Sequence, residues 1–139
     1  MKKRVPVSEI MTHELVTLSP VDDLVTAEEL FKKHRIRHIP VVQGKEILGM
    51  LSYTDLLRIS FADAIGPEEE EVETIVYNMF SIEQVMAKNV ISVPSTASIR
   101  EVAAFLATQE FHALPVVDGE ELVGIVTTTD LINYLVEQY

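Results

Sequence analysis

Twice along the chain a small hydroxyl residue stands three positions ahead of an aspartate and directly behind a short apolar run: Gly49-Met50-Leu51-Ser52-Tyr53-Thr54-Asp55 and Gly124-Ile125-Val126-Thr127-Thr128-Thr129-Asp130. If the apolar run is a strand and the aspartate opens a helix, the junction offers an anion free main-chain amides and a Ser or Thr hydroxyl. It also offers a carboxylate able to accept hydrogen bonds from sugar hydroxyls. A sugar phosphate suits that set of groups. The same spacing is that of a helix capping box, in which hydroxyl and carboxylate satisfy each other's backbone amides. Local sequence leaves both readings open.

Chemistry of other kinds is scarce. With no cysteine in 139 residues there is no thiol nucleophile, no disulfide framework and no thiolate metal site. None of the Gly-x-Ser-x-Gly, His-Glu-x-x-His, Walker A or dinucleotide patterns occurs. Among the histidines, His34 and His38 have a helical ligand spacing, but the stretch 36–40 should already be leaving helix for strand, which takes the two rings off a common face. Acidic pairs abound only because 22 Asp and Glu face 11 Lys and Arg, and no pair stands out as acid and base. No catalytic residue and no metal ligand is assigned, and the chain is not expected to be an enzyme.

A formal charge of −11 repels nucleic-acid backbones, and basic runs are confined to 2–4 and 32–37, so nucleic acid is not an expected partner. The apolar fraction of 47% is too high for disorder, yet no apolar run reaches the roughly 18 residues of a membrane span. Met1-Lys2-Lys3-Arg4 has the look of a basic signal start, but Glu9, His13 and Glu14 interrupt the apolar stretch that would have to follow. Cytoplasmic residence without membrane insertion is expected.

The elements that must position the two junctions emerge from an internal repeat. Residues 11–57 align without a gap on residues 86–132, at an offset of 75. Met11 meets Met86, Ile39-Pro40-Val41-Val42 meets Leu114-Pro115-Val116-Val117, Gly44 meets Gly119, Gly49 meets Gly124, and Thr54-Asp55-Leu56 meets Thr129-Asp130-Leu131. Two copies of one supersecondary unit are implied, each too small to bury its apolar face well alone. In each copy a short strand (16–18 or 90–93) precedes an amphipathic helix. Asp23 can cap the first helix, over the stripe Leu24, Ala27, Leu30 and Phe31. Ser98 and Glu101 have capping-box spacing in the second, over Ile99, Val102, Ala103 and Leu106. Strands 39–42 with 47–51, and 114–117 with 122–126, read as hairpins turned at Gly44 and Gly119, and a last helix starts near Thr54 or Thr129. The order is β-α-β-β-α, an α/β (α+β) architecture used twice. Short lead-in turns at 8–11 and 81–86 precede the two copies. The expected organisation is a first domain at 1–65, a helical linker at 66–79 opened by Pro67 and Glu68 to Glu71, and a second domain at 80–139.

These residues carry a resemblance to a tandem pair of CBS domains, the Bateman module. The pattern Pro-Val-Val-x-Gly followed by Gly-h-h-Ser/Thr-x-x-Asp, present twice, is specific to that family and its two copies cover nearly the whole chain. The resemblance implies two β-α-β-β-α units packed sheet to sheet with pseudo-twofold symmetry, with clefts between them for adenosyl ligands such as AMP, ADP, ATP or S-adenosylmethionine. No obligatory cofactor is implied. It further implies that Asp55 and Asp130 take ribose and that Ser52 and Thr127, in the motifs that also hold Thr54 and Thr129, approach phosphate. Thr17 and Ser92 then lie near the adenine edge, with backbone of His38 and Ala113 opposite, beside Pro40 and Pro115. The apolar Ile39, Val41, Leu114 and Val116 are candidates to sandwich a base.

Charge distinguishes the copies. The first has Lys32, Lys33, His34, Arg35, Arg37 and His38, whereas the related stretch of the second has Thr108, Gln109, Glu110, His112 and Ala113. A phosphate tail in a protein of charge −11 needs nearby cations, so the copies should bind unequally, with Arg37 and His38 the preferred phosphate partners. No segment is left over for an output domain, so the expected role is a regulatory sensor that binds an adenosyl ligand and modulates a separate effector protein. The resemblance also implies a homodimer, since many such pairs associate in that way. The alternative is a structural dimerisation module whose pockets are vestigial.

Overall fold

Asp23 holds the chain extended and accepts the Thr26 amide at 2.8 Å, the N-cap that starts helix α1, Leu24–His34. The helix buries Leu24, Ala27 and Phe31 and ends at Arg35, whose backbone is left-handed (φ 54°). Strand β1, His38–Gln43, then runs antiparallel to β2, Glu46–Ser52, through a two-residue turn in which Gly44 supplies φ 63°. A bulge at Val41/Val42 shifts the register. Helix α2, Tyr53–Asp63, follows β2 with no intervening residue. These elements come from a computed structural model that describes residues 4–63 and 79–139. They make up one compact unit, Val16–Val90, whose core gathers Leu18, Leu24, Phe31, Ile39, Val41, Leu51 and Leu56.

The second unit, Met1–Leu15 with Ile91–Tyr139, repeats the plan. Ser98 accepts the Glu101 amide at 3.0 Å and starts α4, Ile99–Leu106. Glu101 does not close the box from its own side; its carboxylate takes Arg4 instead. Strands β3, Ala113–Asp118, and β4, Glu121–Thr127, form a hairpin with Gly119 at φ 65° and a bulge at Val116/Val117, and α5, Thr128–Glu137, follows. Val7, Val102, Leu106, Leu114, Val116 and Val126 fill this core.

Each unit is completed by the lead-in segment of the other repeat. A 3-10 turn, Val7–Glu9, precedes Met11, and the backbone of Thr12 exchanges two hydrogen bonds with Ile125 of β4 (2.8 and 3.1 Å). In the first-repeat unit, helix α3, Ile82–Val85, is set by a capping box between Ser81 and Gln84, and Ala87 exchanges bonds of 3.0 and 2.8 Å with Met50 of β2. In both units the methionine after the turn covers a strand glycine: Met86 lies on Gly49 and Met11 on Gly124.

One expectation needs correction. The strands at 16–18 and 90–93 shrink to single paired residues. Leu18 donates its amide to the Pro40 carbonyl (3.0 Å) and accepts from Val42 (2.8 Å); Val93 does the same with Pro115 (3.1 Å) and Val117 (2.8 Å). Pairing stops because the chain turns at once. Asp22 takes the Ser19 amide at 2.7 Å ahead of α1, and Pro94, which has no N–H, follows Val93. On α5, only Leu131 packs on its unit's core; Ile132, Leu135 and Val136 are exposed. The linker expected at 66–79 lies outside the described residues except for Met79, which is exposed.

Candidate functional site

The junctions form where each hairpin ends and its second helix begins. In the first-repeat unit His38 pairs with Ser52, Ile39 with Leu51 and Pro40 with Met50 across the ladder. The Tyr53 amide donates to the Arg37 carbonyl at 2.8 Å, which locks the start of β1 to the start of α2. Because Leu18 bonds the Pro40 carbonyl, Thr17 is carried to the same edge of β1, exposed. The second-repeat unit is built alike. Ala113 pairs with Thr127, Leu114 with Val126 and Pro115 with Ile125. Thr128 donates to the His112 carbonyl at 2.9 Å, and Val93 carries the exposed Ser92 to Pro115.

At each junction the hydroxyl and the aspartate are reciprocally bonded. Asp55 donates its amide to Ser52 Oγ (3.1 Å) and Asp55 Oδ2 accepts the Ser52 amide (3.2 Å). Asp130 and Thr127 repeat this at 3.2 and 2.9 Å. The capping box is therefore real. It occupies only one oxygen of each carboxylate, so it leaves the second reading available. Asp55 Oδ1 faces the exposed Arg58 at 3.7 Å, a surface pair worth at most about 1 kcal/mol. Asp130 Oδ1 has no partner among the described residues. Both aspartates are half-buried, while Thr54 and Thr129, one step earlier on the helix, are exposed.

The side chains of Ile39, Val41, Leu114 and Val116 cannot flank a base. They are at most 1% exposed and belong to the two cores, because strand alternation turns them inward under α1 and α4. At these positions only backbone atoms remain to meet a ligand. His34 ends α1 while His38 opens β1, so the two never share a helical face, and no group of three or more His, Cys, Asp or Glu among the described residues could hold a metal ion.

The cation cluster is partly a helix terminus. Lys32, Lys33 and His34 occupy the last turn of α1, where positive charge suits the helix dipole, and Lys32 is paired with Glu28 at 2.7 Å. Arg37 lies beyond the helix, exposed at the junction. In the second-repeat unit His112 takes its place, also exposed. Sequence reasoning did not assign Tyr53 and Thr128, whose amides clamp the strand starts; their position directly after the hydroxyl residue was the available signal. Nor did it assign Met11 and Met86 as covers for the glycines, although the offset of 75 aligns both pairs.

The CBS domain family model matches residues 7–62 and 82–137. The chain belongs to the CBS domain family, as a tandem pair. An uncharacterized 33.4 kDa protein in the ribosomal RNA operon of Thermofilum pendens is 29% identical over 136 residues, 97% of this chain and 45% of that protein. The chain spans less than half the length of the first curated relatives it matches. Among solved structures, CBSX2 of Arabidopsis thaliana in complex with AMP is 21% identical at a TM-score of 0.79, covering 96% of this chain and 98% of that one. The CBS domain pair of protein MJ0100 in complex with 5'-methylthioadenosine and S-adenosylmethionine is 22% identical at a TM-score of 0.79, covering 99% and 100%. At these identities the structures show the fold. No helix among the described residues is long and apolar enough to cross a membrane.

Proposed function

We propose that this CBS pair is a cytoplasmic regulatory sensor that binds an adenosyl ligand at its strand–helix junctions and modulates a separate partner protein. The observation that carries the reading is the pair of junctions in which a capped aspartate keeps one carboxylate oxygen out of the cap, ready to accept from ribose hydroxyls. AMP bound to CBSX2, and 5'-methylthioadenosine with S-adenosylmethionine bound to the MJ0100 pair, support adenosyl ligands as the class. Backbone groups of 38–40 and 113–115, with Thr17 and Ser92 at the strand edge, read the adenine. A phosphorylated ligand prefers the first repeat, because Arg37, beside His38, and the neighbouring lysines supply formal positive charge where the second repeat has His112, Ala107 and Thr108. Ile132, Leu135 and Val136, exposed at helical spacing on α5, with the exposed Tyr139 just beyond its end, supply an apolar stripe for a homodimer contact.

Isothermal titration against AMP, ADP, ATP and S-adenosylmethionine tests this. At least one saturable site is expected, with AMP lost on Asp55→Ala before it is lost on Asp130→Ala. A folded protein that binds none of the four overturns the reading.

A further inference from the structure

The first-repeat unit has a hollow beside the junction, sharing Arg37 and Tyr53 with it. It measures about 270 Å³ and is lined by Phe31, Lys32, Arg35, Ile36, Arg37 and Tyr53. Its floor is apolar, with the Phe31 and Tyr53 rings 5.5 Å apart and tilted by 56°. Its rim is cationic. Lys32 is engaged with Glu28, whereas Arg35 and Arg37 are exposed and, among the described residues, in no ion pair. Arg35 is also held at φ 54°, a left-handed helix stop at which Gly or Asn is the favoured residue.

The second repeat serves as an internal control. It builds the same helix, hairpin and second helix with Leu106, Ala107, Glu110, Phe111, His112 and Thr128 at the six corresponding positions. The fold therefore requires neither guanidinium nor the tyrosine ring, and no left-handed residue stands at Glu110. In a chain of charge −11, two unpaired guanidinium groups beside a half-buried tyrosine ring form a local trap for negative charge.

We propose that this hollow binds a small aryl anion: a planar ring on the floor of Phe31, Ile36 and Tyr53, with its carboxylate or phosphate held by Arg35 and Arg37. Guanidinium forks donate to either acid group in bidentate fashion, and the apolar floor selects for the ring. The volume, 270 Å³, falls just under the roughly 300–1,000 Å³ of pockets for drug-sized ligands, so one substituted ring fits and a dinucleotide does not. Thr17, His38, Ser52 and Asp55 do not line the hollow, so it is separate from the adenine and ribose positions of the adenosyl reading, while Arg37 and Tyr53 border both.

The test is a titration of the ¹⁵N-labelled chain with phenyl phosphate and with benzoate, using inorganic phosphate as the charge-only control. Saturable shifts of the Ile36, Arg37 and Tyr53 amides by at least one aryl probe are expected, with affinity about tenfold or more above inorganic phosphate. Arg35→Glu should weaken the aryl probe by about tenfold or more. Arg35→Gly should weaken it while the melting temperature holds or rises, because glycine relieves the left-handed backbone. Tyr53→Leu, which keeps apolar volume, should weaken the aryl probe and leave inorganic phosphate unchanged. Equal affinity for inorganic phosphate, undiminished binding in both Arg35 variants, or shifts confined to Thr17, Ser52, Thr54 and Asp55 with Ile36 and Arg37 unmoved would each overturn the proposal.

Discussion

Replacing Gly49 and Gly124 with alanine, one at a time, separates two closures that correspond exactly in sequence register but differ in what they press against. Neither glycine has a positive φ, so alanine suits the backbone and, unobstructed, would stabilise by up to about 1 kcal/mol. Space decides otherwise. A Cβ on Gly124 would lie 2.5 Å from Met11 Sδ, 2.9 Å from its Cγ and 3.1 Å from its Cε, all atoms of one flexible side chain. An unbranched thioether can swing aside, so the net cost should be about 1 kcal/mol. A Cβ on Gly49 would lie 2.6 Å from Met86 Sδ but also 2.7 Å from the carbonyl oxygen of Ala87. That carbonyl accepts the Met50 amide at 3.0 Å, and the Ala87 amide returns a bond of 2.8 Å, so it cannot retreat without opening both. Overpacking plus two weakened hydrogen bonds of about 1 kcal/mol each gives about 3 kcal/mol. At about 3–5 °C per kcal/mol for a chain of this size, thermal melting followed by circular dichroism should fall by about 10 °C for Gly49→Ala and by under about 5 °C for Gly124→Ala. In a Met11→Ala background Gly124→Ala should cost nothing further because the contested space is empty, whereas in a Met86→Ala background most of the Gly49→Ala loss should remain. Equal losses, or full rescue of both, would refute the assignment of the difference to the Ala87 carbonyl.

Thr127→Ala removes an N-cap and should cost about 1 kcal/mol in urea unfolding; no change in the midpoint would show that α5 does not rely on it. Asp55→Ala and Asp130→Ala should each leave a folded chain whose titration with a ribose-bearing ligand is weakened about tenfold at one junction, and unchanged affinity in both would reject the ribose role. Gly44→Ala and Gly119→Ala meet nothing within 4 Å, so their cost should be backbone strain alone, about 1 kcal/mol each and closely matched. The Ser95 hydroxyl (2.6 Å) and amide (2.9 Å) both donate to Asp118 and hold its carboxyl below the ordinary value of 3.8. Asp23 is lowered too, by the Thr26 amide. Both groups bind protons more weakly folded than unfolded, so their contribution is complete above pH 3.8 and is lost as pH falls through the lower folded values. Ser95→Ala should flatten that acid-limb slope, and an identical slope in the variant would refute the link.

The repeat, the two helices with their Asp23 and Ser98 caps, the glycine-turned hairpins and both junctions were legible because each rests on local chemistry that recurs at a fixed offset. What escaped was decided by long-range packing. Nothing local to Met11 says that it will lie on Gly124, or that the segment before one repeat completes the other, since that depends on which exposed ladder edge the chain meets. The outer strands were overestimated for the reverse reason. Apolar residues at 16–18 and 90–93 have strand propensity, but the turn at Ser19 and the proline at 94 leave room for one pairing each. Ile39 and Leu114 were misjudged as ligand walls because an apolar residue next to a junction reads alike whether it faces a base or a core; the alternation along β1 and β3 settles it for the core.

A duplicated unit offers a separation of fold from function that a single domain does not. Positions identical in both copies here are mainly structural: Gly44 and Gly119 at the turns, Gly49 and Gly124 under methionine, Pro40 and Pro115 in the paired strands, Asp55 and Asp130 in the caps. The aspartates belong to this set and also carry the ligand argument, which is consistent physically. The cap fixes Oδ2 against a backbone amide and thereby fixes where Oδ1 stands, so the bonds that start the helix also preorganise the acceptor. Positions that differ between the copies are released from the fold's demands. Lys32, Arg35, Arg37 and Tyr53 answer to Ala107, Glu110, His112 and Thr128, and all four differences move the first copy toward positive charge and aromatic surface. Of the two remaining lining positions Phe31 answers to Leu106 and Ile36 to Phe111, so aromatic surface is redistributed between the copies, while positive charge is gained at the first alone and is what suits it to an anion.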